Sequence, residues 1–278
     1  MEQNKVKILV ACHKPDTVYS DDVYVPVHVG RALSKNTSEM SHMIGDDTGD
    51  NISPKNPFYC ELTAQYWAWK NLKAEYVGLC HYRRYFREKI TAQNIDRIME
   101  NADFLLASHV TFETSVCRWL INALIEEDIY IFAHYFKKLY PDFSDTFDSY
   151  FYQGNVINPC NMFVCRKELF DKFAEWQFDF LFKLEKVIKF SEYTRLKRIM
   201  GYYGENMLRL YCLIHHLKIK ELPIVSMVGD KKPIFKHSYL REFRTGLKFK
   251  WNNRHGMKWN EAVITGLRID EVLNKDIH

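Results

Sequence analysis

Residues 45–86 read GDDTGDNISPKNPFYCELTAQYWAWKNLKAEYVGLCHYRRYF. The stretch opens with three carboxylates, Asp46, Asp47 and Asp50, in a loop punctuated by glycine. It closes with a short apolar run, Tyr76 to Cys80, that stops at His81-Tyr82-Arg83-Arg84-Tyr85. An apolar run bounded in this way reads as a buried strand. In open α/β sheets, ligands sit just beyond the carboxyl ends of strands. Two arginines at that place predict an anionic ligand, because guanidinium forks match phosphate or carboxylate oxygens. Between loop and strand, Asn56-Pro57 reads as a helix start. The spacing of Phe58, Leu62, Tyr66 and Trp69 predicts one helix to about Asn71, with Glu61 and Gln65 on a neighbouring face.

Working outward, Val6 to Ala11 reads as a first buried strand ending at Cys12-His13-Lys14-Pro15. Residues 16 to 38 read as loop, since Pro26 argues against a central strand. A short helix is predicted over Ile90 to Glu100, a strand over Asp103 to Ala107, and a helical pattern from Phe112 to Tyr140. Asp142 to Gln153 reads as loop or helix ends. Val156 to Cys165 reads as a strand interrupted at Asn158-Pro159. Lys167 to Lys189 carries a core stripe that includes Phe170, Phe173, Phe180 and Leu184. Glu192 to Leu217 reads as one helix, or two broken at Gly201, and Ile219 to Val225 as a last strand. Strands alternating with helices predict an α/β sheet flanked on both sides. A GxGxxG or P-loop phrase is absent, so dinucleotide and ATPase readings lack their carriers.

The chain has 278 residues, 47% of them hydrophobic, enough for one large core or for a domain with a smaller C-terminal piece. A net charge of +4 does not argue for nucleic acid. The seven cysteines lie mostly in apolar segments with no CxxC pair, which predicts reduced thiols and a cytoplasmic setting. No stretch reads as a secretory leader or a membrane span. After residue 226 the composition shifts. Lys231, Lys232, Lys236, Arg241, Arg244, Lys248 and Lys250 alternate with Phe235, Tyr239, Phe243, Phe249 and Trp251. Such a tail suits the anionic inner face of a membrane, or it folds over the catalytic domain with its charges solvated.

Five phrases carry a family resemblance: His13-Lys14, GDDTGDNIS, KNPFYCELTAQYWAWKN, GLCHYRRYF and Asn161-Met162-Phe163, joined by ENMLRLY at 205–211. Together they resemble the DUF4422 family of bacterial capsular and exopolysaccharide glycosyltransferases, over roughly residues 5–225. The resemblance implies a GT-A-like fold, with a nucleotide-sugar half over about 1–110 and an acceptor half over about 111–225. It implies transfer of a sugar from a UDP-sugar donor, most often galactofuranose, to a polyisoprenoid-linked glycan. Galactopyranose, glucose and N-acetylhexosamine stay open as donors, as does a non-catalytic carbohydrate- or nucleotide-binding subunit.

Glu205 is the candidate base for an inverting transfer; its bland alternative is an exposed helical pair with Arg209. Arg83 and Arg84, with His81 and Lys14, are expected to balance the leaving diphosphate without a metal. The alternative is an arginine pairing with a carboxylate such as Glu61 as scaffold. Asp46 and Asp47 are read first as nucleotide contacts, then as a turn. Third comes a Mn2+ or Mg2+ site with Asp50, since hard cations want clustered oxygens. Asn56 and Glu61 would then face the same cleft as the acidic loop, and His13 with Lys14 is a donor-binding candidate at the end of the first strand. Asn161 suits acceptor or sugar hydroxyls. Asp148 and Glu126 are weaker candidates for the base, and Trp67 and Trp69 read as core.

Overall fold

The computed structural model describes residues 5–226 and 238–274. Lys231, Lys232, Phe235 and Lys236 of the basic tail lie outside them. From the N-terminus come β1 (Val6–Cys12), β2 (Tyr24–His28), β3 (Ile44–Gly45), α1 (Asn56–Tyr59), α2 (Leu62–Asn71), β4 (Tyr76–His81) and β5 (Arg84–Phe86). Next are α3 (Ile95–Ile98), β6 (Phe104–Ala107), β7 (Val110–Thr111), α4 (Val116–Ala123), α5 (Glu126–Leu139), α6 (Ser144–Phe151), β8 (Val156–Ile157) and β9 (Phe163–Arg166). The chain continues through α7 (Lys167–Glu185), α8 (Thr194–Lys197), α9 (Ile199–Ile214), β10 (Ile219–Leu222) and β11 (Ile224–Ser226), and then α10 (Tyr239–Asn252), α11 (Glu261–Leu267) and α12 (Ile269–Leu273). Two compact units result. Among the described residues, one gathers 5–108, 158–177 and 198–226; the other gathers 109–157, 178–197 and 238–274. The chain passes between them several times, where the resemblance and the composition implied only two cuts, near residues 110 and 225.

The first unit is built on a mixed sheet in the order β10-β6-β9-β4-β1-β2-β3, with β5 beside β4 and β11 beside β5. β1 has parallel neighbours in β2 and β4, whereas β9 runs antiparallel between β4 and β6. The chain winds outward from β1 through β2 and β3, then returns to β4 on the other side of β1. Their register sets Ala11 opposite His81. A sheet opens a crevice at the carboxyl ends of strands where the winding reverses. β1, β4, β6 and β9 are almost wholly buried, which is why they read as continuous apolar runs.

Several boundaries differ from the expectation. Residues 24–28 form a strand after all. Pro26 faces Val10 of β1, and β3 reaches only Val27 and His28, so Pro26 lies where β2 is still an edge. The single helix expected from Asn56 to Asn71 is two, split at Cys60, where φ is 52°. The late helix breaks at Arg198, and Gly201 is inside α9. The helical pattern after Phe112 is interrupted between α4 and α5, and Pro223 divides β10 from β11. Residues 156–165 split between two sheets, β8 pairing with β7 and β9 joining the large sheet.

The second unit is mostly helical. Phe136 stacks on Phe147 with centroids 4.7 Å apart, and Phe132 meets Phe180 edge-on at 5.6 Å. Residues 144–151, expected as loop or helix ends, form α6, whose Phe147, Tyr150 and Phe151 enter this aromatic core.

Two glycines test the packing in opposite directions. A Cβ on Gly78, in β4, would lie 2.7 Å from the Phe163 carbonyl oxygen, a backbone atom of the paired strand. A Cβ on Gly246, in α10, would meet nothing within 4 Å. Gly78→Ala should destabilise the protein by roughly 1–3 kcal/mol. Gly246→Ala should stabilise it by about 0.5–1 kcal/mol, because alanine loses less entropy in a helix. Urea unfolding of both variants reads the difference, and equal shifts would contradict the strand contact.

Candidate active site

Four segments meet in the first unit: the end of β4, the break between α1 and α2, the 3-10 turn Pro159–Asn161, and the start of α9. The backbone is strained at two of them. Cys60 has φ 52°, Cys160 φ 72° and Asn161 φ 47°. Left-handed non-glycine residues cost on the order of 1–3 kcal/mol each and persist only where the surroundings hold them. Here Asn56 Nδ2 donates to the Cys60 carbonyl at 2.7 Å, and Thr63 Oγ1 donates to it at 3.1 Å. The Cys160 N–H donates to Glu205 Oε1 at 3.0 Å. His81 Nε2–H donates to the Cys160 carbonyl at 3.0 Å, which assigns the ring tautomer.

Asn161 is fully buried and starts a chain of amides. Its Nδ2 donates to Gln65 Oε1 at 3.1 Å, Gln65 Nε2 to Gln177 Oε1 at 2.6 Å, and Gln177 Nε2 to the Gly204 carbonyl at 3.0 Å. The turn, α2, α7 and α9 are thereby locked together beneath the site.

The electrostatics concentrate on two carboxylates. Burial pushes Glu61 up to about 7, against the pull of Arg198 and Arg84. Burial also pushes Glu205 up to about 7; Glu61 adds to the rise, while the Cys160 N–H, Arg84 and Arg198 oppose it. His81 Nε2 lies 3.9 Å from Glu61 Oε1, yet burial and Arg84 hold the imidazole down to about 4. The ring is therefore neutral at pH 7, and the contact is not an ion pair. Arg198 Nε donates to Cys60 Sγ at 3.0 Å. Burial lifts the Cys60 and Cys160 thiols to about 11 and 12, so both stay protonated. Two carboxyl groups balanced near neutrality beside two guanidinium groups can accept a proton and hold an anion.

Other predicted residues take different places. His13 is edge-on to Tyr82 with centroids 5.4 Å apart, and burial with Lys14, Arg198 and His81 keeps its imidazole below the ordinary value. Lys14 is exposed in the loop after β1. Arg83 is engaged with Asp16 at 3.2 Å and lies over the Tyr82 ring, while the field of Arg84 reaches Glu61, Glu205 and His81. Asn56 serves the Cys60 turn and also donates to Thr63 Oγ1 at 3.1 Å. Glu205 does not pair with Arg209, which instead donates to Asn158 Oδ1 at 2.7 Å and faces Glu221 at 3.5 Å. Asp148 pairs with Lys137, and Glu126 accepts from the Asn260 N–H; both belong to the second unit.

The acidic loop is pinned rather than open. Asp46 is fully buried and accepts from the Gly30 N–H at 2.8 Å, the Arg31 N–H at 3.1 Å and Ser53 Oγ at 2.5 Å. Asp47 lies 3.7 Å from Arg31, and Asp50 accepts from Tyr66 at 3.1 Å. Trp67 Nε1 donates to Thr48 Oγ1 at 2.8 Å, so the aromatics of α2 hold the loop. The three carboxylates do not offer a shared set of free oxygens, and among the described residues no group of three His, Cys, Asp or Glu side chains is arranged for a metal ion. As placed, these three side chains do not form a set that would hold a divalent ion.

Two functional candidates escaped the sequence reading. Arg198 stands among other basic residues in TRLKRIM, and its only signal was its place seven residues before Glu205. His28 is fully buried with neither ring nitrogen hydrogen-bonded, near Asp46, Asp47 and Arg31. It was hidden in a stretch read as loop.

A family model described as a domain of unknown function, DUF4422, matches residues 7–216. The chain belongs to this family. Among solved structures, the apo structure of the WbbM bifunctional glycosyltransferase is similar to this DUF4422 chain, with a TM-score of 0.73 and 31% identity. The match covers 84% of this chain and 48% of that one, so the chain spans about half the length of its structural relative. The fold is GT-A-like, as the resemblance implied. No curated protein matches.

The raised carboxyls make a stability prediction. A group held at about 7 against an ordinary 4.5 binds its proton more tightly in the native state. The stability it contributes is present below about pH 4.5 and is lost as pH rises through about 7. Glu61→Gln should therefore raise Tm above wild type at pH 8, by about 2–4 °C for each kcal/mol recovered. Near pH 4 the two proteins should melt together. A lower Tm for the variant at pH 8 would show that Glu61 is stabilised as an anion.

Proposed function

We propose that this DUF4422 protein is a glycosyltransferase that moves a sugar from a UDP-sugar donor to a polyisoprenoid-linked glycan acceptor, with inversion and with galactofuranose as the first donor to test. The observation that carries the reading is the Glu61–Glu205 pair, poised near neutrality beside Arg84 and Arg198 at the end of β4. The likeness to a glycosyltransferase structure supports it. Galactofuranose rests on the family resemblance alone.

In this reading Glu205 takes the proton of the acceptor hydroxyl as that oxygen bonds to the anomeric carbon. The bond from the anomeric carbon to the diphosphate oxygen breaks, and UDP leaves with the electron pair. Arg84 and Arg198 offset the charge that develops on the diphosphate. Glu61 raises the proton affinity of Glu205, and His81 holds the Cys160 turn that aims it. Lys14 extends the cationic edge along the crevice, and His13 beside it offers a neutral imidazole for hydrogen bonding. Asp47 serves the nucleotide, with Asp46 bracing its loop, while Asn56 and Asn161 set the two strained turns. Arg83, engaged with Asp16, has a lesser share.

Calorimetry of UDP binding in EDTA tests the arginines. Wild type should bind, and Arg84→Ala should bind about ten- to a hundredfold more weakly, the worth of one or two charge-assisted hydrogen bonds. Arg83→Ala should lose less. Binding that requires manganese would overturn the counter-charge assignment. No binding under either condition would overturn the UDP donor.

Glu205→Gln keeps an acceptor for the Cys160 N–H and removes the base. Its turnover should fall by about 10²–10⁴ while UDP affinity stays unchanged. In wild type, kcat should decline as pH falls through about 7, since the base must be ionised. Unchanged turnover in Glu205→Gln would remove it from the chemistry.

A further inference from the structure

The apolar stripe of α10 faces away from the body that holds it. Leu240, Phe243, Leu247 and Trp251 are 72%, 66%, 52% and 70% exposed, large values for such side chains. At 100° per residue their spacing of three, four and four places them on one face. The opposite face carries the anchors. Thr245 is buried, and Asn252 Nδ2 donates to the Glu113 carbonyl at 2.8 Å. At the border Lys248 Nζ donates to Glu113 Oε1 at 2.7 Å. A surface helix normally turns its apolar stripe to the core; this one presents it to the outside.

The charge around the stripe selects the partner. Arg241 and Arg244 border it on one side and Lys250 on the other, while Lys248 is taken by Glu113. The Arg254 guanidinium stacks over the Trp251 ring at 4.1 Å. The one acidic residue of α10, Glu242, lies toward the anchored face. A second copy meeting this stripe about a two-fold axis would bring the same cations together. An anionic bilayer neutralises them, takes the aliphatic and phenyl groups below its headgroups, and seats tryptophan at its interface.

We propose that this face of α10 docks the protein on an anionic lipid bilayer. The proposal is independent of the donor and of the chemistry at Glu205.

Co-sedimentation of the full chain with vesicles tests it, using phosphatidylcholine alone and phosphatidylcholine mixed with phosphatidylglycerol. Wild type should bind the mixed vesicles at least about tenfold more tightly than the neutral ones, with binding weakened by salt. The exposed-face variant Phe243→Gln/Leu247→Gln/Trp251→Gln should lose that binding and keep its UDP affinity and Tm. The charge variant Arg244→Gln/Lys250→Gln should weaken binding to mixed vesicles alone. Equal binding by wild type and the first variant, or no binding by wild type, would overturn the proposal. A wild-type dimer in analytical ultracentrifugation that the first variant dissociates, without vesicle binding, would assign the stripe to a second copy instead.

Discussion

The site depends on the buried amide chain that runs from Asn161 through Gln65 and Gln177 to the Gly204 carbonyl. Each side-chain amide has distinct donor and acceptor ends, so the chain holds in one polarity only. It begins one residue after Cys160 and ends one residue before Glu205, and the Cys160 N–H to Glu205 bond closes the circuit. Four segments are thus referenced to one another by directional bonds in a buried interior. Apolar contacts alone would allow them to slide. Leaving one of these amides unpaired costs about 1–3 kcal/mol, comparable with the strain that the circuit holds at Cys160 and Asn161.

Close helix approach supplies the rest. A Cβ on Gly204 would lie 2.6 Å from Leu62 Cδ1, and one on Gly201 would lie 3.2 Å from Cys60 Sγ. These two glycines let α9 settle against the α1–α2 break, which brings Arg198 to Cys60 and Glu205 into the field of Glu61. The same closeness removes water from both carboxylates. Their ionisation is then a contest between burial, which disfavours charge, and the Arg84 and Arg198 pair, which favours it; burial wins for both.

What could be read from the sequence follows from where local rules decide. Strands buried on both faces announce themselves, and β1, β4, β6 and β9 were legible from their apolar runs. His81 and Arg84 stood out because they abut the β4 run, Glu61 from its place on a helical face, and Glu205 from its place beside Gly204 together with the family resemblance. The Cys60 break was not legible. Helical spacing continues through it, and the break is held by local side-chain bonds from Asn56 and Thr63 to the Cys60 carbonyl, which apolar spacing does not signal. Pro26 misled because a proline rule for strand interiors was applied to a strand whose outer neighbour stops short of it. Asp46 looked like a ligand and is a brace, since sequence cannot tell an open carboxylate from one taken by the Gly30 and Arg31 N–H groups. Arg198 had no local mark beyond its place seven residues before Glu205; its position beside Cys60 arises from the packing of α9.

The order of the segments along the chain has a consequence for biosynthesis. A ribosome releases Glu61 and Gln65 early, the Cys160 turn much later, and α9 last among the parts that close the circuit. Until α9 docks, Gln177 lacks the carbonyl that ends the amide chain and the α1–α2 break has no helix against it. The strands made by then, β1 to β9, can pair around this gap, but the interior holds unpaired polar groups and an open seam during that interval. Partly folded intermediates of this kind are where association with other chains begins. A polypeptide cut short before α9 is therefore an unfinished core, and the helix that completes the site is also the one that closes the seam beside the α1–α2 break.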